Sequence, residues 1–149
     1  GSIDKSIIDE FLKKAFTYRM EVSLAEFELK TERTCDFMER KSTVISWKGD
    51  VVPCYRFLHS YTEYIFGRKK DVHFFSFGNI RERSLIDIWR DLQYRKFRWI
   101  VKSSIYPSCI DCVFASKLCN FVLNTDLDCE GNTPSCGDCL WSRRIALCP

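Results

Sequence analysis

The stretch Cys109-Ile-Asp-Cys112, followed by Cys136-Gly-Asp-Cys139, decides the fold of this chain. The segment from 109 to 148 holds seven of its nine cysteines and no histidine. Two Cys-x-x-Cys pairs with further thiols nearby form an all-sulfur ligand set, which selects zinc or an iron–sulfur cluster over magnesium or calcium. The sequence therefore predicts that metal is part of the fold. The other cysteines of the segment are Cys119, Cys129 and Cys148.

The composition narrows the class of protein. The 149 residues, with 12 Phe and a net charge of +3, suffice for one or two small domains and offer no dense basic face for nucleic acid. No apolar run approaches the roughly 20 residues of a membrane helix. Nine cysteines, an odd number, fit a disulfide framework poorly, whereas paired Cys-x-x-Cys motifs in a reducing compartment indicate metal. We therefore expect a cytoplasmic metal-binding protein without a nucleic-acid or membrane partner.

The N-terminal part of the chain predicts a helix that needs a packing partner. Gly1-Ser2 resembles a cloning remnant and is not used to predict the fold. Over residues 4–17, apolar side chains recur at three- and four-residue spacing and form one stripe. Residues 20–30 alternate less cleanly and favour a strand over a second helix. The stripe consists of Ile7, Ile8, Phe11, Leu12, Ala15 and Phe16.

A β-hairpin is predicted beside the first two cysteines. Two β-branched runs, residues 43–47 and 51–54, flank a turn centred on Gly49, which is a hairpin signal. Pairing of these runs would place Cys54 at the end of the second strand and bring it back towards Cys35. The sequence therefore predicts that two cysteines 19 positions apart approach each other.

The middle of the chain predicts a helix and a strand, and residues 55–70 are ambiguous. Leu58, Tyr61 and Ile65 have helical spacing, and Gly67 would end a helix before the basic run at 68–70, which we expect to be a solvated loop rather than a phosphate or nucleic-acid site. Residues 72–77 favour a strand, and Ser84 is a candidate N-cap for a helix to about residue 102. The fold is thus α+β: a small β-hairpin plus helix, followed by a loop-rich, metal-stabilised cysteine-rich tail.

Three sequence motifs together resemble those of a known family. Cys35 is followed after 13 residues by Gly49 and after four more by Cys54. The phrase Phe77-Gly-Asn-Ile-Arg-Glu-Arg-Ser-Leu-Ile-Asp-Ile-Trp89 leads from a turn into a helix, and the Cys109–Cys112 pair comes next. This order resembles the SPASM domain, the C-terminal iron–sulfur region of many radical SAM maturases.

The tail from residue 128 onward resembles one subgroup, the maturases of tungsten-cofactor oxidoreductases of the aldehyde ferredoxin oxidoreductase type. The resemblance covers residues 35–148 and implies two auxiliary [4Fe–4S] clusters, which serve electron relay, substrate binding or both. The implied substrate is a peptide or protein such as a tungsten-dependent oxidoreductase. Residues 1–34 would be a tag remnant, a helix and a linker from the parent radical SAM barrel, and residues 35–149 the cluster-binding domain. The chain lacks a Cys-x3-Cys-x2-Cys motif, so we do not expect it to cleave S-adenosylmethionine alone.

The resemblance also implies a division of the cysteines. One cluster takes Cys35, Cys54 and a later cysteine; the other takes the Cys109–Cys112 pair, Cys119 and a distal cysteine. The chain departs from the family run C-x2-C-x5-C-x3-C, because six residues separate the pair from Cys119 and nine separate Cys119 from Cys129. The place of Cys129 and the choice of the distal ligand stay open, with one cysteine of nine spare. The late candidates are Cys136, Cys139 and Cys148.

A structural zinc module for protein interaction is the alternative. The pairs at 109–112 and 136–139 have 23 residues between them, somewhat more than the roughly 15–20 of common zinc ribbons. One four-cysteine zinc site could close the tail without redox chemistry. It would leave five cysteines unexplained, which favours the iron–sulfur interpretation. No Ser/His/Asp arrangement, phosphate loop or paired catalytic carboxylates indicate an independent hydrolase or transferase.

Overall fold

The computed structural model describes residues 4–25, 32–115 and 118–147. These residues form α-helices and two separate two-stranded antiparallel sheets joined by irregular segments, which confirms the α+β class and the loop-rich tail. Over the same residues, no helix has the length and apolar character needed to cross a membrane. The elements are α1 (Lys5–Thr17), α2 (Asp36–Glu39), α3 (Leu85–Arg90), α4 (Leu92–Lys102), β1 (Val44–Ile45), β2 (Val51–Val52), β3 (Tyr61–Ile65) and β4 (Arg68–Val72).

Helix α1 forms where the apolar spacing predicts it. The side chain of Asp4 caps it by accepting a hydrogen bond from the backbone N–H of Ser6 at 3.0 Å. Of the predicted stripe, Ala15 is buried, whereas Phe16 is 87% exposed. The strand favoured over residues 20–30 is wrong for residues 20–25, which are irregular; the remainder of that prediction lies outside the described residues.

The predicted hairpin next to Cys54 is confirmed. β1 pairs with β2, with Val44 opposite Val52. Gly49 in the turn has φ +93°, and a Cβ there would lie 2.8 Å from Oδ1 of Asn79. The Asn79 amide in turn donates to the carboxylate of Asp50 at 2.9 Å. The glycine of the Cys35–Cys54 segment and the Gly78-Asn79 turn are therefore packed directly on each other.

The main core lies between α2, β2 and the two later helices. The ring of Phe77 stacks on Tyr94 with centroids 4.1 Å apart and planes 10° apart. The buried hydroxyl of Tyr94 donates to the Oγ1 atom of Thr43 at 2.7 Å, which ties α4 to the start of the hairpin. The buried members are Phe37, Met38, Val51, Ile88, Tyr94, Phe97, Ile100, Val101 and Tyr106, and Cys35, Cys54 and Cys136 pack against them.

The helical spacing before Gly67 is misleading, and a helix there is wrong. After a short 3-10 turn at Tyr55–Phe57, the chain forms a second hairpin, β3 paired with β4. Phe66 and Gly67 both have positive φ, 48° and 85°, the two-residue turn geometry that matches the strand twist. The strand expected over residues 72–77 is also wrong beyond Val72, because the following residues are irregular.

The long helix expected after Ser84 is divided in two. Ser84 caps α3 as predicted, its hydroxyl accepting from the N–H of Asp87 at 3.2 Å. Asp91 then leaves helical geometry, with ψ 139°, and its side chain accepts from the N–H of Gln93 at 3.0 Å. A residue in the middle of the apolar periodicity thus acts as the N-cap of α4.

Candidate metal centre

Four cysteines from three parts of the chain approach one another at the edge of the main core, and we call them the first cysteine group: Cys35, Cys54, Cys136 and Cys139. Cys35 precedes α2, Cys54 follows β2, and the last two share one turn, closed by a bond from the N–H of Cys139 to the carbonyl of Cys136 at 3.1 Å. All four line a cavity of about 20 Å³. Burial, and then the proximity of Cys139, raises the pKa of the thiols of Cys54 and Cys136. Cys54 thus approaches Cys35 as the hairpin predicts.

The thiols of Cys109, Cys119 and Cys129 lie within electrostatic range of one another. Cys112 is exposed, and we assign it to the same set because it shares a Cys-x-x-Cys motif with Cys109; these four are called the second cysteine group. Burial, and then the nearby carboxylate of Asp138, raises the pKa of Cys109 to about 12. A metal bound here would have to displace the thiol proton, because thiolates are the ligands.

Local side chains shape the loops that carry the second group. The carboxylate of Asp128 is buried and accepts from the N–H groups of Glu130 and Asn132, at 3.0 and 2.9 Å, which fixes the turn containing Cys129. Asp111, inside the Cys109–Cys112 pair, accepts hydrogen bonds from Ser108 and from Arg143. Short polar contacts thus hold these loops in a region with little apolar core.

The turn at residues 136–139 joins the two groups. Its cysteines belong to the first group, while the carbonyl of Gly137 accepts from the N–H of Cys109 at 3.0 Å. A Cβ at Gly137 would lie 2.5 Å from the sulfur of Cys109, so glycine is required by close packing. The two Cys-x-x-Cys pairs that a zinc ribbon would combine therefore lie side by side but in different groups.

Asp138, in the same turn, anchors it to β4. Its fully buried carboxylate receives Nη2 of Arg68 at 2.7 Å and Nζ of Lys70 at 2.9 Å. Lys70 is 1% exposed and also lies 3.3 Å from the carbonyl oxygen of Val122. The expectation of a solvated basic loop at 68–70 is therefore wrong for these two residues, because a buried carboxylate from the tail takes both charges; Lys69 is exposed.

The side chains that line the four-cysteine cavity suit an anionic sulfur-bound group in their chemistry. Arg56 is buried beside it, and its Nε and Nη1 atoms have no hydrogen-bond partner. Buried donors without acceptors are uncommon, and an unfilled polar site is one explanation for them. Burial opposes the charged form of Arg56, but Cys139 and Glu63 outweigh it and raise its pKa. The donor set is all sulfur, as the sequence predicts.

The described residues contain no disulfide among their eight cysteines, and Cys148 lies outside them. No set of three or more His, Cys, Asp or Glu side chains within 4–25, 32–115 and 118–147 is arranged to hold a metal ion as it stands.

Sequence reasoning missed Arg56, Lys70 and Asp138. Two of them had a signal: Asp138 lies inside a Cys-x-x-Cys pair, and Arg56 lies two positions after a cysteine.

Comparison with known proteins gives this arrangement a family. Residues 35–113, more than half of the chain, match the SPASM domain, an iron–sulfur cluster-binding domain. The chain belongs to the SPASM family, which confirms the resemblance seen in the sequence. Over all of its 149 residues, the chain is also 58% identical to the tungsten-containing aldehyde ferredoxin oxidoreductase cofactor-modifying protein of Pyrococcus furiosus. The chain spans 42% of the length of that relative. No solved structure matches this chain.

Proposed function

We propose that the chain binds two [4Fe–4S] clusters, one in each cysteine group. Cys35, Cys54, Cys136 and Cys139 would hold the first, and Cys109, Cys112, Cys119 and Cys129 the second, which leaves Cys148 as the spare thiol. The observation that carries this proposal is that, in a chain of the SPASM family, Cys35, Cys54, Cys136 and Cys139 line one cavity while Cys109, Cys119 and Cys129 lie near one another in a second place. Cys112 is assigned to the second set through its Cys-x-x-Cys motif with Cys109. Four thiolates are the usual ligand set of such a cluster.

When bound, such clusters supply one-electron redox chemistry. The chain provides the thiolates, the apolar packing around Cys54 and Cys136, and the charges that surround them. These are the means by which a protein sets a cluster's potential. The first group lies next to the core and is more buried than Cys112 and Cys129, which are exposed. We infer that the second cluster is the one nearer to solvent and to an external electron partner.

We propose further that the domain is the auxiliary part of a cytoplasmic radical SAM maturase whose barrel is joined to α1, and that it is inactive alone. Electron relay, substrate binding or both would be its contribution to the modification of a tungsten-cofactor oxidoreductase. The 58% identity to a protein named for modifying that cofactor supports this substrate class. The exposed stripe of α1 supports a packing partner for that helix.

Cysteine variants test the division into two groups. Cys54→Ser with Cys139→Ser should remove the first cluster, and Cys119→Ser with Cys129→Ser the second. After anaerobic reconstitution, each double variant should hold about half of the iron and sulfide of the unaltered chain. Loss of all iron in both variants, or of none in either, would contradict the division. Combining Cys54→Ser with Cys129→Ser should reduce both sites and provides the matched control.

A further inference from the structure

Arg56 is placed to do more than pack beside the first cysteine group. The 3-10 turn at Tyr55–Phe57 follows Cys54 directly and turns the side chain of Arg56 inward, where the residue is 4% exposed. Its backbone N–H lies close to the thiol of Cys54. Its guanidinium lies within electrostatic range of Cys139 and Cys136. Arg56 thus lies beside the group with both its main chain and its side chain.

The guanidinium has donors to spare. Nη2 is paired with the carboxylate of Glu63 on β3, whose side chain is 11% exposed. Nε and Nη1 are buried without any acceptor. Arginine carries five N–H donors in a fixed plane and keeps its charge, so burying two donor atoms unpaired is costly. The hydroxyl of Tyr61 also lies near the guanidinium, but within the described residues neither Nε nor Nη1 makes a hydrogen bond.

The cavities beside Arg56 indicate where those acceptors belong. Arg56 lines the small cavity together with all four cysteines of the first group. It also lines a larger cavity of about 300 Å³ with Cys35, Cys54 and Cys139. The sulfur atoms of a cluster bound by these cysteines are acceptors and carry negative charge, which matches a cation with free N–H groups.

We propose that Arg56 is a positioning residue of the first cluster: its Nε–H and Nη1–H donate to the sulfur atoms of that cluster, and its charge raises the cluster's reduction potential. The inference rests on the proposed function, because it requires a cluster in the first group. Reduction adds negative charge, so a fixed cation with hydrogen bonds to sulfur favours the reduced form.

The test is a redox titration of the anaerobically reconstituted 149-residue chain. Electron paramagnetic resonance monitors the reduced clusters, and the midpoint potential of each signal is measured. The signal that Cys54→Ser abolishes identifies the first cluster. Arg56→Gln should retain iron and sulfide while shifting that midpoint to a lower potential. Arg56→Lys should shift it less, because the charge remains but the planar set of donors is lost. Neither change should move the other midpoint.

Arg98→Gln is the matched control. Its guanidinium also has an unpartnered buried nitrogen, Nη1, but stacks 3.9 Å from the ring of Trp89 rather than against the cysteines. An equal shift in Arg98→Gln and Arg56→Gln, or no shift in the latter, would overturn the inference. If Arg56→Gln does not fold, Arg56→Lys replaces it, and a midpoint equal to that of the unaltered chain contradicts the inference. Wild-type protein without iron and sulfide would instead refute the proposed function.

Discussion

Gly137, between the two cysteines of the 136–139 turn, is packed against the thiol of Cys109, and an added Cβ would lie 2.5 Å from that sulfur. The contact places a residue of the first group's turn directly on a ligand candidate of the second. The two cysteine groups are therefore neighbours in one structure, and a change in either loop is expected to affect the other.

Replacement of Gly137 by alanine should displace Cys109. The carbonyl of Pro107 also lies 3.2 Å from the added Cβ, so the methyl group has no space on that side. We expect a loss of about 1–3 kcal/mol in the free energy of unfolding from overpacking, and reduced iron in the second site. Gly67→Ala, in the β3–β4 turn, is the control for iron content, since a Cβ there meets nothing within 4 Å and its strain at φ +85° affects the backbone alone. Equal iron content in the two variants would contradict this account.

The Asp138 ion pair is expected to support the turn that joins the groups. Asp138→Asn would leave Lys70, 1% exposed, without its counter-charge. Breaking a buried pair from one side costs about 3–5 kcal/mol, which urea unfolding of the reconstituted chain measures. The same change at Asp126, whose partner His73 is about half exposed, should cost less than about 0.5 kcal/mol. Similar losses in both variants would show that burial of the pair is unimportant.

The contact between Gly49 and Asn79 gives a third prediction. Gly49→Ala places a Cβ 2.8 Å from Oδ1 of Asn79 and holds alanine at φ +93°. The backbone strain costs about 1–2 kcal/mol, and the contact adds to it. Gly67→Ala carries the same strain at φ +85° with nothing within 4 Å. Thermal unfolding should rank Gly49→Ala as the less stable variant, and the reverse order would refute the packing role.

Local patterns predicted the elements that depend on neighbouring residues in the chain. The apolar spacing of α1, the turn at Gly49 and the N-cap at Ser84 each carry a signal within a few residues, and each is found where expected. The hairpin β3–β4 was missed because Leu58, Tyr61 and Ile65 also fit helical spacing. The positive φ of Phe66 could not be predicted from its residue type, because a bulky side chain rarely adopts positive φ.

The site was predictable in its chemistry and less so in its connectivity. Cysteine spacing indicated metal, and the approach of Cys54 to Cys35 followed from the hairpin. The position of Cys136 and Cys139 beside those two depends on contacts between residues far apart in the chain, such as Asp138 with Lys70. Such long-range pairing produces no periodic pattern in the sequence. The burial of a cation such as Arg56 cannot be read from a periodic pattern either.

The iron and acid-labile sulfide content of the anaerobically purified and reconstituted chain tests the central claim most directly. Two [4Fe–4S] clusters require about eight irons and eight sulfides per chain, with a brown solution that absorbs broadly in the visible. That result would agree with two groups of four cysteines. One or two zinc ions per chain with no labile sulfide and no colour would contradict it, and would assign the cysteines to a structural zinc module instead.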